Sequence, residues 1–578
     1  MKEIFVQVFK VADEFVILKG TKAAEPKFRE PLSELIIAQY GRGAYKTAVV
    51  TEILFFCQNY YISEFERICN NENSYTFYKE IVWLHEQATN LRQSEHFDNL
   101  PQGISKSYIA EYRRILKMII EQGCCVNMIS SEKRDSEFQK RIDSIINDLL
   151  FLGSMLILCA ECIAEQTMIE DDIDITFDRN NLYSFSRRDH YDFIFQHLNY
   201  KQENDNPEYI IDNEGYSDFK NAVLNSFNID YEKIWQVIIL SMEHLNFKNG
   251  DCISFEREGF LKSIQNSTDA SLNSIEKFLS GVTLMKNNKM PLSELIKKPH
   301  SLNRYLYRPI LIWTINDKEY CVLGTYSFYE TQNNLYLNAI PWGKIPDEWM
   351  DVKSFKNYMN KKEDAHDKWL DDVVEKDIKS TGLIYQRTVK KLIAKNKKTY
   401  SLEGKNIGEI DFIIISPNTK KVFIADCKHL QGRYDMVTQR QDYYKFTDDK
   451  SGISYNTRMN LKTQWLKEHK DILEEHFQLR FNEPTLSLKE YEIEGIFFIN
   501  TPTFYIYNSD LRIYTFEQVI DVITGKHIDP IFSYYVNKED SNIFYSIKYP
   551  YFRKPTMFYY EDKDEDCEVD KYGFPIKN

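Results

Sequence analysis

Between Pro31 and about Val282, apolar residues recur three and four positions apart, the period of helices with one buried face. The pattern predicts helices over 32–39, 44–60, 104–122, 138–165 and 231–245, with loops at the polar stretches 201–207 and 215–218. Ahead of them, the alternating stretches 4–9 and 15–18 read as short strands. From about Tyr305 the period drops to two. Segments 308–315 and 320–328 flank the polar turn 316–319, so a β-hairpin module is expected there. The hexapeptide Pro-Leu-Ser-Glu-Leu-Ile at 31–36 returns at 291–296 without matching flanks. It reads as a helix opening with Pro at its start, not as a domain repeat.

Further along, Leu370, Val374 and Ile378 repeat every fourth residue with Val373 widening the stripe, which predicts an amphipathic helix over 366–382 capped by Gly382. Strands follow at 383–387, 409–415 and 422–428, the last two joined by the turn Ser416-Pro-Asn-Thr-Lys-Lys421. A helix opens at Gln439-Arg-Gln-Asp-Tyr443. The apolar strand 495–500 and the strand-then-helix 512–523 complete the region. Side chains alternate along a strand, so Asp426 and Lys428 point one way and Cys427 the other. Asp411 on the neighbouring strand brings a second carboxylate to the same end. Burying two acids and a lysine costs several kcal/mol, on the order of the penalty for any buried charge, unless a partner compensates. A divalent cation is that kind of partner.

The run Gly408-Glu-Ile-Asp411, hairpin, Asp426-Cys-Lys428, with Gly432 beyond, resembles the core of the PD-(D/E)XK nucleases, the restriction-endonuclease-like superfamily. It is closest to its nuclease-related and resolvase-type members. Asp411 matches the first acid, Asp426 the second, in place of the commoner Glu, and Lys428 the lysine. The resemblance covers roughly 353–526 and implies an upstream helix acid. Asp371 and Glu375 both border the apolar stripe, and Glu375 is preferred, with Asp372 less well placed. It further implies Mg²⁺, replaceable by Mn²⁺, on Asp411, Asp426 and the Cys427 backbone carbonyl, with Glu375 or Asp371 binding through water or completing a second metal site. Lys428 would then position the attacking water and offset phosphate charge, leaving a 5′-phosphate and a 3′-hydroxyl. The catalytic set expected is Asp411, Asp426, Lys428 and Glu375.

Composition changes this picture in two places. The 578 residues, 43% hydrophobic and 28% charged, are those of a globular chain long enough for several domains. The net charge of −14 argues against indiscriminate nucleic-acid binding. Yet 378–402 holds seven basic residues and no acid, so Arg387, Lys390, Lys391 and Lys395, with Gln439 downstream, are the expected nucleic-acid contacts. The ten cysteines show no framework spacing and are expected to be reduced thiols in a cytoplasm. Cys159-x-x-Cys162 and Cys124-Cys125 are read as four core thiols rather than a zinc site, and His190 and His197 as an ordinary pair on one helical face. The longest apolar run, 149–160, is too short to span a bilayer and is expected to be a buried helix. Gly41-Arg-Gly-Ala-Tyr-Lys-Thr47 lacks the spacing of a phosphate loop.

The expected fold class is an α+β multidomain chain: a mainly helical domain at 1–200, a helical continuation of regulatory or sensing character at 201–300, and the hairpin module at 301–350. An α/β/α restriction-endonuclease-like domain follows at 351–530, then an aromatic-rich extension with an acidic tail at 531–578. The expected activity is Mg²⁺-dependent endonucleolytic hydrolysis, of DNA ahead of RNA, restrained by the helical half until it recognises a trigger, a partner or a particular nucleic-acid structure; that half is also where a partner protein or a second copy would bind. By fold-level analogy, such an arrangement suits bacterial defence against foreign DNA. The alternatives are a non-catalytic nucleic-acid-binding scaffold that keeps the fold, and an RNA-directed nuclease.

Overall fold

The computed structural model describes residues 5–43, 45–130, 135–168, 173–187, 213–243, 252–402, 407–432, 435–450, 452–507 and 509–528. At 213, 242–243, 507, 531–538, 541–548 and 556–559 it describes the backbone alone. The expectations for His190 and His197, for 201–207 and for the acidic tail lie outside the described residues, as do the side chains of the aromatic-rich extension. The chain is mixed α+β, with a helix-rich N-terminal region and several small sheets. It divides into two compact units, and the dividing line falls inside the helix Lys353–Thr381, between His366 and Asp367.

The first unit opens with the antiparallel hairpin Val6–Val11 and Phe15–Gly20, followed by long helices. Buried stripes explain where the helices exceed the sequence expectation. Thr47–Asn71 runs on past residue 60 because Phe65 and Cys69 continue the fourfold spacing of Cys57 and Tyr61. Asn213–Phe227 swallows the loop expected at 215–218, since Phe219, Val223 and Phe227 are buried on one face. Pro31 does not open its helix. Ala24–Tyr40 starts earlier, driven by Ala24 and Phe28 packing in line with Leu32 and Ile36, and Pro31 sits in its interior. Pro291 does stand directly before Leu292–Lys297. The apolar run 149–160 lies in Ser136–Met168, the one helix among the described residues that is long and apolar enough to cross a membrane; Leu149, Leu152, Leu156 and Cys159 are buried in the protein. Of the four expected core thiols, Cys124, Cys159 and Cys162 are buried. Cys125, in the turn after Lys106–Gly123, is exposed.

The hairpin expected at 308–328 is not a module of its own. Its strands, Ile310–Ile315 and Lys318–Leu323, form one five-stranded sheet with Asn127–Met128, Ile253–Glu256 and Thr283–Leu284. Ile310, Ile312, Cys321 and Leu323 feed a core built round Phe227, Phe278 and Trp349, and an apolar strand pair with so many buried positions cannot stand alone.

Elements of the second unit are numbered from the helix in which the dividing line falls. Helix α1 (Lys353–Thr381) leads into β1 (Ile384–Val389), the small hairpin β2 (Lys391–Ile393) and β3 (Thr399–Ser401), then β4 (Ile410–Ser416) and β5 (Lys421–Lys428). Helices α2 (Met436–Thr447), α3 (Tyr455–Glu468) and α4 (Lys470–Phe481) follow, then β6 (Glu492–Ile499), β7 (Arg512–Thr515) and α5 (Val519–Thr524). The main sheet runs β1-β4-β5-β6-β7, antiparallel across the first two pairings and parallel across the last two. Leu370, Val374 and Ile378 of α1 and Val519 and Ile523 of α5 pack on Phe412, Ile414, Phe423, Ala425 and Phe498. Gly495 on β6 faces the opposite way. A Cβ there would lie 2.5 Å from Thr463 Oγ1 and 2.7 Å from Met459 Cγ, so glycine lets α3 sit close against the sheet. The last strands, Ile531–Lys538, Ser541–Lys548 and Thr556–Tyr559, form an antiparallel meander.

Candidate metal and phosphodiester site

At the ends of β4 and β5 the register stops at Phe412 opposite Ala425, so Asp411 and Asp426 lie one step past the last paired residues. Strand alternation puts Asp426 and Lys428 on the α3 side and Cys427 on the α1 side, where the thiol packs beside the core. Asp411 stands between the two sides. Its Oδ2 accepts the Cys427 N–H at 2.7 Å, and one oxygen each of Asp371 and Asp411 lies within 4.8 Å of the other and of Cys427 Sγ. The hairpin thereby converts a local sequence pattern into one crowded acidic corner.

The charges there are unevenly matched. Burial, the neighbouring Asp426 and Asp371 push the Asp411 carboxyl up to about 7, against the pull of Lys428 and the Cys427 N–H. Burial likewise raises Asp371, partly offset by the Cys427 thiol, Arg387 and Lys428. Burial and the two facing carboxylates hold Cys427 well above the ordinary thiol range, so it is a protonated thiol. Asp426 behaves oppositely. It is 2% exposed, yet despite that burial Lys428 and Lys462 hold it below its usual range. Lys428 itself, against its own desolvation, is kept protonated by Asp426 and Asp411.

Lys462 is the residue that the sequence reading missed. Its ammonium donates to both oxygens of Asp426, at 2.8 and 2.6 Å, and its side chain is 3% exposed; Lys428 approaches Asp426 Oδ2 at 3.3 Å. A signal was present: Met459, Lys462 and Leu466 follow helical spacing and all three are buried, so a lysine occupies a core position of α3. A core lysine requires a buried acid, and the sequence already held one at Asp426.

Of the two helix acids it is Asp371 that lies beside Asp411, not Glu375, the one preferred from the sequence. Glu375 is turned to β1, where Tyr385 Oη donates to it at 2.9 Å and Arg387 Nη1 at 2.8 Å, with Lys379 at 3.1 Å. These groups outweigh its desolvation and hold its carboxyl below the usual range. One turn of helix separates the two acids, so each meets a different neighbour. Asp371 sits over the hairpin end and Glu375 over the β1 side chains.

The expected nucleic-acid contacts split. Arg387 is spent inside the protein, pairing with Asp372 at 2.6 Å, Glu375 at 2.8 Å and Asp371 at 3.5 Å. Gln439 is buried, its Oε1 accepting the Phe504 N–H at 3.0 Å; it ties α2 to the turn after β6 and does not face solvent. Lys390 pairs with Glu409 at 3.3 Å. Lys391 and Lys395 are exposed on the β2–β3 hairpin with Lys397 and Lys398. His476 anchors that hairpin: Nδ1 accepts the Ile393 N–H at 3.0 Å, which leaves Nε2–H to donate to Gln386 Oε1 at 2.8 Å.

Compared with protein-family models, curated proteins and solved structures, the chain matches none of them.

Proposed function

We propose that the second unit is a metal-dependent endonuclease of the PD-(D/E)XK type, with an α/β/α core, hydrolysing phosphodiester bonds in DNA ahead of RNA. One observation carries the reading: Asp371, Asp411, Asp426 and Lys428, from one helix and two adjacent strands, converge at one sheet end with more acid than base beside Asp411. The donor set fits a hard divalent cation, because Asp371 and Asp411 offer close carboxylate oxygens whose mutual repulsion a cation would relieve. Those two residues would hold it, with Cys427 beside them. When bound, such a cation lowers the pKa of its water and polarises a phosphoryl oxygen. Lys428, protonated and 18% exposed, would neutralise charge growing on the phosphate. The exposed lysines of β2–β3 supply the basic surface for a phosphate backbone.

A second reading, a nucleic-acid-binding scaffold that keeps this fold without catalysis, is favoured by the bidentate hold of Lys462 on Asp426, a carboxylate the nuclease pattern assigns to metal. Cleavage assays separate the two. Supercoiled plasmid, linear duplex, single-stranded DNA and transfer RNA are incubated with Mg²⁺ or Mn²⁺, using wild type and Lys428→Ala. The nuclease reading expects metal-dependent cutting that falls by about 10²- to 10³-fold in the variant, the usual loss for a charge-stabilising donor. Metal-independent binding with no cutting, and no response to Lys428→Ala, would favour the scaffold.

A further inference from the structure

We propose that Lys462 takes the place of a second metal ion, so that the site binds one divalent cation, on Asp371 and Asp411, and none directly on Asp426. The inference rests on the metal-site reading above and adds its stoichiometry and a positioning residue.

A carboxylate that bridges or binds metals must turn its oxygens toward them. Both oxygens of Asp426 are instead engaged by one buried ammonium, at 2.8 and 2.6 Å, and Lys428 adds a contact at 3.3 Å. Lys462 has no solvent to retreat to: its side chain is 3% exposed, and α3 is seated tightly by the absence of a Cβ at Gly495. Removing that ammonium from Asp426 would leave an uncompensated buried charge. On the other side of the corner, among the described residues no ammonium hydrogen-bonds Asp371 or Asp411: Lys428 acts on Asp411 but spends its contact on Asp426. Arg387 reaches Asp371 only at 3.5 Å and is shared with Asp372 and Glu375.

Charge leads to the same count. With the carboxylates ionised, as ligation of a metal requires, Asp371, Asp411 and Asp426 face two ammonium groups (Lys428, Lys462), leaving one negative charge. One divalent cation turns that into one positive charge, a suitable field for a phosphodiester. A second would leave three, in a corner where Asp426 is fully buried. Lys462 is thus a fixed cation where a two-metal site would hold an exchangeable one, and it keeps Asp426 oriented toward Lys428.

Counting Mn²⁺ on the full-length protein tests this without any turnover, using the electron paramagnetic resonance signal of free Mn²⁺ during a titration. Wild type is expected to bind one Mn²⁺ in the site. Lys462→Met, which keeps the apolar stem and removes the charge, should bind two. Lys462→Arg, which restores a cation, should return to one, an outcome that a merely space-filling lysine would not produce. Two Mn²⁺ in wild type, or one in Lys462→Met with an unchanged circular-dichroism spectrum, would overturn the proposal. Should Lys462→Met fail to fold, Asp426→Asn decides: retention of one Mn²⁺ supports the assignment to Asp371 and Asp411, and its loss refutes it. A wild type that binds one Mn²⁺ but cuts nothing would sink the nuclease reading and leave this assignment standing.

Discussion

Each unit buries a knot of acids and bases, and the two knots are wired in opposite senses. In the first unit Glu330 is ringed by cations: Arg113 at 2.6 Å, Arg92 at 3.5 Å and Lys117 at 3.7 Å. Desolvation works against it, but Arg113 and Lys117 hold its carboxyl far below the ordinary range. The acid is over-satisfied, as a structural tie should be. In the second unit the balance runs the other way at Asp411, whose charge is opposed by burial and by two neighbouring acids. A carboxylate left short of cations inside a protein costs stability, and sites that await a cation or a proton are where such costs concentrate. The contrast separates an acid satisfied by its neighbours from one that its neighbours oppose.

The largest test of this contrast is a pair of neutralising substitutions with opposite expected signs. Glu330→Gln strands three cations in the first unit and should cost about 3–5 kcal/mol in denaturant unfolding, as the loss of one partner of a buried pair does. Asp411→Asn can still accept the Cys427 N–H, relieves the crowding and should raise the stability of the metal-free protein by on the order of 1 kcal/mol. Destabilisation by Asp411→Asn would mean that the ionised Asp411 is held favourably by its neighbours, as Glu330 is.

The same imbalance should show in the pH response. Asp411 has a folded-state pKa raised above its unfolded value, so its contribution is present below about pH 4, falls as pH rises, and is gone above about pH 7. Glu86 in the first unit, raised to about 7 by burial against the hydrogen bonds of Ser327 and Tyr326, adds a slope of the same sign. Between pH 4 and 7 the melting temperature of the metal-free wild type should therefore fall relative to that of Asp411→Asn, the two slopes differing by the Asp411 contribution. Equal slopes would mean that Asp411 does not titrate in that window.

The smallest effect concerns the thiol. Cys427 Sγ is grouped with Asp371 and Asp411, so a thiophilic ion such as Cd²⁺ should bind with sulfur-to-metal absorption in the near ultraviolet. Cys427→Ser should abolish that band while changing Mn²⁺ affinity by less than about threefold, because manganese prefers oxygen donors. A large loss of Mn²⁺ binding would make the sulfur a true ligand for the hard ion too.

Much of the second unit was legible in the chain. The stripe Leu370, Val374 and Ile378 is the buried face of α1, Gly382 ends the helix region with φ of +71°, and the strand–turn–strand around Pro417 stands where alternation placed it. These features depend on neighbours a few residues apart, where helical and strand periods act directly. The sequence expected a compensating cation near Asp426 and assigned that role to a metal, whereas the fold meets it with Lys462, 36 residues away. The choice between Asp371 and Glu375 was illegible for a related reason: both border the same stripe, and only the position of Arg387 and Tyr385 on β1 draws Glu375 aside. Gln439 and Arg387 likewise read as free polar groups until their partners came into place.

The chain by itself determined the periods, the breaks and the types of chemical group at each strand end, because those follow from local sterics and from which face is apolar. Tertiary structure alone decided which charge meets which. Electrostatic energy depends on separation and burial, and the helix that brings Lys462 to Asp426 is seated by a missing side chain at Gly495, on a strand that the sequence does not connect to either residue.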